Sequence, residues 1–247
     1  MTIGLIGYGR FGAFVAPLLA RRTKVLVHDA RRTRGQKLPA GVSWGKLPEV
    51  AGQSIVLLCV PVGELRRVLR RIRPFLREGS LVIDVCAVKG APVRWLKQLL
   101  PRGVGILGTH PFFGPDSAHD GLAGLKMVLC PIRIEGLQLS TVLRELHRKG
   151  VETVFMSPDD HDRLMAETIL LSQYVGRLVG STGATGWPPV TKNYAHLLSI
   201  VNTVRNDTAG LFEDMVRFNP YGRKLLRDLD SAHRRLLRGA GRKGKKD

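Results

Sequence analysis

The sequence contains no apolar run long enough for a membrane helix. Its longest runs, such as Ile55 to Val60, have the length of a strand, whereas a spanning helix needs about 20 apolar residues. The amino-terminal residues also lack the pattern of a secretory signal. Cysteine is scarce, and Cys59, Cys86 and Cys130 form an odd set without C-x-x-C spacing. These absences predict a cytoplasmic protein that has free thiols and no membrane segment.

Acidic residues are few relative to basic ones. The chain has 39 Lys and Arg against 20 Asp and Glu, which gives a formal net charge of +19. This charge favours anionic partners, but many basic residues lie beside the apolar stripes of helical patterns, and no nucleic-acid-reading module is recognisable. We therefore expect a solvated basic surface and no specific nucleic-acid partner. The histidines are dispersed without ligand spacing, so no metal site is expected.

Short apolar runs alternate with helical patterns over the first part of the chain. This alternation predicts an α/β fold with a doubly wound, mostly parallel Rossmann-type sheet over residues 1–156. The predicted strands are Ile3 to Ile6, Lys24 to Val27, Ser54 to Val60, Leu81 to Val85, Val104 to Leu107, Met127 to Cys130 and Thr153 to Phe155.

The pattern changes at Ser157-Pro158-Asp159-Asp160, which supplies a capping serine, a proline at the first helical position and acids in the first turn. No strand pattern follows. Residues 157–238 are therefore predicted to form an all-helical domain, with helical patterns at Asp159 to Val179, Tyr194 to Phe218 and Tyr221 to Leu237. Residues 239–247 are glycine-rich and basic, which predicts a disordered tail.

A G-x-G-x-x-G sequence lies between the first predicted strand and the first predicted helix. Its glycines would permit a tight turn, a close approach to a pyrophosphate and close helix packing. Asp29 closes the second predicted strand, where a carboxylate would bind ribose hydroxyls and favour NAD, although Arg31 or Arg32 could accept the 2′-phosphate of NADP. The candidate cofactor-binding residues are Gly7, Tyr8, Gly9, Arg10, Phe11, Gly12, Asp29, Arg31, Val60 and Pro61.

His110 follows the fifth predicted strand, at the edge where doubly wound sheets bind their ligands. A histidine at this place can act as a general base. Position alone leaves open a structural histidine in a proline-rich loop. Lys89 follows the fourth predicted strand at the same edge, where it could contact a substrate or simply be solvated.

Five blocks of sequence resemble the prephenate and arogenate dehydrogenases of tyrosine biosynthesis, and the plant arogenate branch in particular. The most specific block is T-H-P-F-F-G-P-D-S at Thr109 to Ser117. The other blocks are Gly7 to Gly12, D-V-C-A-V-K at Asp84 to Lys89, His161-Asp162-Arg163, and Val175-Gly176-Arg177.

The resemblance implies an oxidative decarboxylation in which NAD(P) accepts hydride from the substrate ring. It also implies that His110 takes the proton of the 4-hydroxyl group, and that Arg217 binds the ring carboxylate. Gln173, Thr109 and Lys89 complete the implied substrate-binding set. The family's helical domain binds the substrate and forms a dimer interface, so the resemblance implies both roles for residues 157–238 and a homodimer.

Two residues depart from the family pattern. Ala87 stands where the family commonly has a serine, and Gln173 stands where many members have a histidine. These departures leave room for a related cyclohexadienyl substrate such as 4-amino-4-deoxyprephenate. A separate alternative is a non-catalytic dinucleotide sensor whose basic surface binds a polyanion. A 3-hydroxyacid dehydrogenase would need a lysine on the helix predicted at Asp159 to Val179, and that segment contains none.

Overall fold

The computed structural model describes residues 2–32, 35–183 and 191–242. The chain divides into two compact units, Met1–His161 and Asp162–Asp247. Sequence patterning places the start of the helical domain at residue 157, four residues before the first unit ends. The difference arises because the first turn of a helix that begins at Pro158 belongs to the first unit.

The first unit contains one sheet of eight strands in the order β3-β2-β1-β4-β5-β6-β7-β8. All neighbouring strands are parallel except β6 and β7. The strand order reverses between β1 and β4, which is the switch point of a Rossmann-type sheet. The predicted fold class is confirmed. The strands are β1 Thr2–Ile6, β2 Lys24–His28, β3 Val42–Trp44, β4 Ile55–Leu58, β5 Leu81–Asp84, β6 Gly105–Pro111, β7 Lys126–Arg133 and β8 Glu152–Phe155.

Among the described residues of the first unit, five helices connect these strands, and a 3₁₀ turn at Arg73–Phe75 follows the third of them. The sheet's apolar residues are buried beneath the helices, as expected for parallel strands that are covered on both faces. Buried members of this core include Leu5, Val25, Val27, Leu57, Leu81, Ile83, Leu107 and Leu129. The helices are α1 Arg10–Ala20, α2 Leu47–Ala51, α3 Val62–Ile72, α4 Gly90–Leu99 and α5 Gly136–Arg148.

Two elements of the first unit have no counterpart in the sequence-based prediction. Strand β3 has only three residues and helix α2 has five, so neither is long enough to show a periodic pattern. Strand β6 is longer than predicted and continues to Pro111, because its last residues pair with antiparallel β7, where His110 lies opposite Val128. His110 therefore lies within a strand and not in the loop after it.

All the regular secondary structure in the described residues of the second unit is helical. Helix α6, Pro158–Met165, begins in the first unit and leads into a π-helical stretch at Ala166–Leu170. The remaining helices are α7 Leu171–Ser181, α8 Lys192–Asn206, α9 Ala209–Phe218 and α10 Gly222–Arg242. None of the helices in residues 2–32, 35–183 and 191–242 is long and apolar enough to cross a membrane.

Two features of the second unit differ from the prediction. The single helical pattern at Tyr194 to Phe218 is interrupted, because the Thr208 hydroxyl accepts a hydrogen bond from the backbone of Leu211 at 3.3 Å and caps a new helix. In addition, Gly239 to Arg242 continue α10 as helix, where a disordered tail was expected. Residues 243–247, the rest of that expected tail, lie outside the described residues.

Candidate active site

The loop between β1 and α1 is shaped by three glycines with different surroundings. Gly7 has a φ of +98°, and a Cβ there would lie 2.2 Å from the carbonyl oxygen of Cys59. A Cβ at Gly12 would lie 2.1 Å from the carbonyl oxygen of Gly7, so this glycine lets α1 pack against the loop. A Cβ at Gly9 would meet nothing within 4 Å. The loop therefore has an open approach at Gly9, at the start of α1, where free N–H groups favour a phosphate.

Asp29 joins this loop to the end of β2. One carboxylate oxygen accepts a hydrogen bond from the backbone N–H of Tyr8 at 2.5 Å, and the other accepts one from the backbone N–H of Arg31 at 2.6 Å. The carboxylate is thus held beside the glycine loop by two charge-assisted hydrogen bonds. Each carboxylate oxygen can accept a further hydrogen bond, so the group remains able to bind ribose hydroxyls.

The other candidate cofactor residues surround the same loop. The Arg10 guanidinium contacts the Asp116 carboxylate at 2.6 Å, which links the glycine loop to the loop after β6. Phe11 is half-buried and its ring centroid lies 6.0 Å from that of Phe14. Val60 is half-buried beyond the end of β4, and exposed Pro61 caps α3.

Lys89 and Asp84 form an ion pair in which neither side chain has exposed surface. The backbone N–H of Cys86 donates to the same Asp84 oxygen at 3.0 Å. The second carboxylate oxygen, Oδ2, is buried and has no hydrogen-bond partner. The resemblance implied that Lys89 contacts substrate. In the structure its ammonium group is buried and contacts the Asp84 carboxylate at the end of β5.

Thr109 is also directed inward. It is buried, and its hydroxyl donates a hydrogen bond to the backbone carbonyl of Asp84 at 2.7 Å. The hydroxyl therefore ties β6 to the end of β5. Ala87, the residue that departs from the family pattern, lies half-buried in the loop between β5 and α4.

His110 lies near the end of β6 with 7% of its surface exposed. Its Nδ1 is 2.9 Å from Nε2 of His161 on α6, and its ring stands edge-on to Phe112 at a centroid distance of 5.1 Å. Burial, followed by the charges of His161 and Lys89, lowers the pKa of His110 well below its usual 6.5. The imidazole is therefore neutral at physiological pH, which is the form a general base requires.

The second unit contains the other two predicted substrate residues. Gln173 on α7 is buried, and its side-chain NH₂ donates to Asp207 at 2.6 Å, while its carbonyl oxygen has no partner. Arg217 is exposed in the last turn of α9, where its guanidinium lies 5.1 Å from the ring centroid of Phe218. The sequence placed both residues on helices, and the structure agrees.

The first unit thus brings the glycine loop, Asp29 and His110 to the carboxyl edge of one sheet. Sequence reasoning missed the direct pairing of His110 with His161, which lies 51 residues further along the chain. The sequence did hold one signal for this pairing, since both histidines lie in blocks that resemble the family. Among the residues that the structure describes, no group of His, Cys, Asp or Glu could hold a metal ion.

This fold and loop define a Rossmann-type dinucleotide-binding domain. The family model described as "Prephenate dehydrogenase, nucleotide-binding domain" matches residues 23–155, and a second model, described as "TYRAAT1-like, C-terminal domain", matches residues 179–238. The first match covers more than half of the chain. The chain belongs to the prephenate dehydrogenase family, and the resemblance inferred from the sequence is confirmed.

Two curated relatives from Arabidopsis thaliana are similar over nearly the whole chain. Arogenate dehydrogenase 1, chloroplastic, is 32% identical over an alignment of 249 residues that covers 96% of this chain and 39% of the relative. Arogenate dehydrogenase 2, chloroplastic, is 30% identical over an alignment of 243 residues that covers 94% of this chain and 68% of the relative. The chain therefore spans well under half of the first relative and about two thirds of the second.

Two solved structures share the fold. Synechocystis arogenate dehydrogenase has a TM-score of 0.67 at 22% identity, and the match covers 99% of this chain and 94% of that one. Prephenate dehydrogenase from Aquifex aeolicus, in complex with hydroxyphenyl propionate and NAD+, has a TM-score of 0.73 at 20% identity, and the match covers 100% and 92%. At these identities the likeness establishes the fold.

Proposed function

We propose that this protein catalyses the NAD(P)-linked oxidative decarboxylation of arogenate or prephenate. The observation that carries the proposal is His110, a buried and neutral histidine at the sheet edge that also holds the glycine loop. Family membership supports the same reaction class. A dinucleotide sensor would not need a base at this edge.

The residues of the first unit fit a dinucleotide. The open approach at Gly9 suits a pyrophosphate, and the Asp29 carboxylate suits the adenosine ribose hydroxyls. We infer a preference for NAD over NADP, because the Asp29 charge would repel a 2′-phosphate. Arg31 or Arg32 could oppose this preference, since both are exposed shortly after Asp29 in the chain.

The proposed chemistry assigns a separate task to each protein group. His110 Nε2 accepts the proton of the ring 4-hydroxyl group as the C4–H bond breaks. A nicotinamide held at the glycine loop would accept the hydride that leaves C4. Arg217 binds the ring carboxylate by a charge-assisted pair. When this carboxylate leaves C1 as carbon dioxide, the electrons of the broken bond make the ring aromatic, and the proton held by His110 returns to the oxygen at C4.

Reduction of NAD and NADP should be measured with arogenate, prephenate and 4-amino-4-deoxyprephenate as separate substrates. We expect turnover with arogenate or prephenate and a higher kcat/KM with NAD. Turnover of the amino-substituted compound alone would assign a specialised pathway. Absence of turnover with all three, together with intact NAD binding, would favour the sensor.

The role of His110 has its own test. His110→Asn should lower kcat by about two to four orders of magnitude, the usual contribution of a positioned general base, while NAD still binds. His147→Asn is the matched control, because His147 is exposed in the last turn of α5. Near-normal turnover of the His110 variant would remove this residue from the mechanism.

We also infer a homodimer, since the family's helical domain forms the dimer interface. Light scattering after size-exclusion chromatography should give about twice the mass of 27.2 kDa, and a monomer at micromolar concentration would contradict the inference. The cytoplasmic location expected from the sequence stays a prediction, and both Arabidopsis relatives are named as chloroplastic.

A further inference from the structure

We propose that His161 is a positioning residue, whose Nε2 accepts a hydrogen bond from Nδ1–H of His110 and so holds the tautomer that leaves Nε2 of His110 free to act as a base. The inference rests on the proposed function for its catalytic meaning. The hydrogen bond itself is a property of the structure and can be tested without any substrate.

The geometry permits a direct hydrogen bond between the two imidazoles. Nδ1 of His110 and Nε2 of His161 are 2.9 Å apart, and the ring centroids are separated by 5.1 Å. One of the two nitrogens must therefore carry the shared proton while the other accepts it. His161 has no exposed surface, so bulk water does not reach the shared hydrogen bond from the His161 side.

The position of the shared proton decides which nitrogen of His110 is basic. A neutral imidazole carries one proton, so a proton on Nδ1 leaves Nε2 with a free lone pair. If the shared proton belonged to His161, the proton of neutral His110 would lie on Nε2, and that nitrogen could not accept another. Only the arrangement with His161 as acceptor serves a general base.

The charged groups near this pair oppose a second positive charge in it. A proton added to His161 lowers the affinity of His110 for a proton, so the two rings are not both cations, and the proposed arrangement is the one in which both rings are neutral. Lys89, at the start of α4, lowers the affinity of His110 for a proton, and its ammonium group is itself paired with Asp84 of β5. Among the residues that the structure describes, the groups whose charges lower the pKa of His110 are His161 and Lys89, and neither is a carboxylate. His161 is therefore the group that can hold the His110 proton, in the place that a carboxylate takes in a Ser-His-Asp triad.

The same hydrogen bond also contributes once a proton has been transferred. When His110 takes a proton at Nε2, the ring becomes a cation whose Nδ1–H still donates to His161. A hydrogen bond to a charged group is stronger than one between neutral groups. His161 should therefore stabilise the protonated base during turnover and should have little effect on the binding of the ground-state substrate.

The tautomer can be read directly by long-range ¹H–¹⁵N NMR of the histidine side chains in the full-length protein. Spectra of His110→Asn and His161→Gln assign the two rings. We expect His110 to be protonated at Nδ1 and bare at Nε2 at neutral pH. The reverse tautomer of His110 would overturn the proposal, whatever substrate the enzyme uses.

Kinetics supply the second test. His161→Leu removes the acceptor while keeping an apolar side chain in the buried position, and we expect kcat to fall about 10- to 100-fold with KM within about twofold. In His161→Gln the side-chain amide reaches the place of Nε2 and can accept the same hydrogen bond, so kcat should recover to within about fivefold of wild type.

Controls separate the positioning role from damage to the fold. Both variants should melt cooperatively and bind NAD as the wild type does, and His147→Gln should be kinetically silent. Equal losses in the leucine and glutamine variants, both of them folded, would overturn the proposal. If the NMR tautomer is as expected but no cyclohexadienyl substrate is turned over, the histidine pair stands and the proposed reaction fails.

Discussion

At the scale of single residues, burial determines the chemistry of His110. A histidine that is 93% removed from solvent cannot easily carry charge, because the transfer of an ion from water is costly. The pKa of His110 is lowered for this reason first, and then by the charges of His161 and Lys89. The residue is therefore a weaker base than a free imidazole, but it remains unprotonated over a wider pH range.

This leads to a prediction about the pH dependence of activity. The base functions when neutral, and its pKa is lowered, so activity should be lost only as pH falls below 6.5. We expect kcat/KM, which reports the free enzyme, to stay level down to pH 6.5 and to decline below it. The residual activity of His110→Asn should lack this decline. A midpoint at or above 6.5 would contradict the burial argument.

Lys89 shows what the sequence alone could not indicate. Its place after a strand suggested contact with substrate, yet its ammonium group is fully buried on Asp84. Burial of a lysine depends on the elements packed around it, and these are not encoded in the residues beside it. The place of His110 at the carboxyl edge of the sheet, in contrast, could be predicted, because its block of sequence is specific to the family.

The Asp84–Lys89 pair should couple strongly in unfolding experiments. Lys89→Met leaves a buried carboxylate without its cation and should cost about 3–5 kcal/mol of unfolding free energy. The double variant with Asp84→Asn removes both charges and keeps an oxygen acceptor for the Cys86 backbone N–H, so it should be more stable than Lys89→Met alone. Urea titration of the single and double variants measures the coupling. Strictly additive losses would show that the pair does not act as a unit.

At the scale of elements, the turn from β1 to α1 uses its glycines for two separate purposes. At Gly7 the backbone itself requires a glycine, because φ is positive and the Cys59 carbonyl group leaves no room for a Cβ. At Gly9 the packing of the protein does not require a glycine, since a Cβ there would meet nothing within 4 Å. The glycine pattern predicted the turn and the helix start correctly because this structure is local.

Two matched substitutions should separate these purposes. Gly7→Ala should lower the unfolding free energy by about 2 kcal/mol or more, because its φ and the nearby carbonyl both oppose a Cβ. Gly9→Ala should unfold within about 0.5 kcal/mol of wild type but bind NAD about tenfold more weakly, since the methyl group occupies the approach of the pyrophosphate. Urea titration and NAD titration of both variants provide the measurements. Normal NAD affinity in Gly9→Ala would place the pyrophosphate elsewhere.

Other elements show that a local sequence pattern is insufficient to predict where a strand or helix ends. The extension of β6 to Pro111 depends on antiparallel pairing with β7, which is a tertiary contact. The break at Thr208 depends on one capping hydroxyl within a continuous apolar pattern. Long periodic segments were therefore predicted well, and their boundaries were not.

At the scale of the whole molecule, the net charge of +19 is the feature with the least obvious purpose. The proposed substrates are anions, because both carry a ring carboxylate and a side-chain carboxylate. Prephenate has a keto group where arogenate has an ammonium group, so prephenate is more negative by one charge. A strongly positive protein attracts such molecules over distances set by the salt concentration.

Ionic strength should therefore change substrate capture more than chemistry. Raising the salt concentration from about 0.01 M to about 0.1 M shortens the Debye length from about 30 Å to about 10 Å. We expect kcat/KM to fall about three- to tenfold and kcat to change less than about twofold, since the bound complex no longer depends on long-range attraction. The fall should be steeper for prephenate than for arogenate. Stopped-flow and steady-state rates over a salt series provide the measurement, with added sucrose as a viscosity control. A kcat/KM that does not respond to salt would mean that the basic residues form a solvated surface with no part in substrate capture.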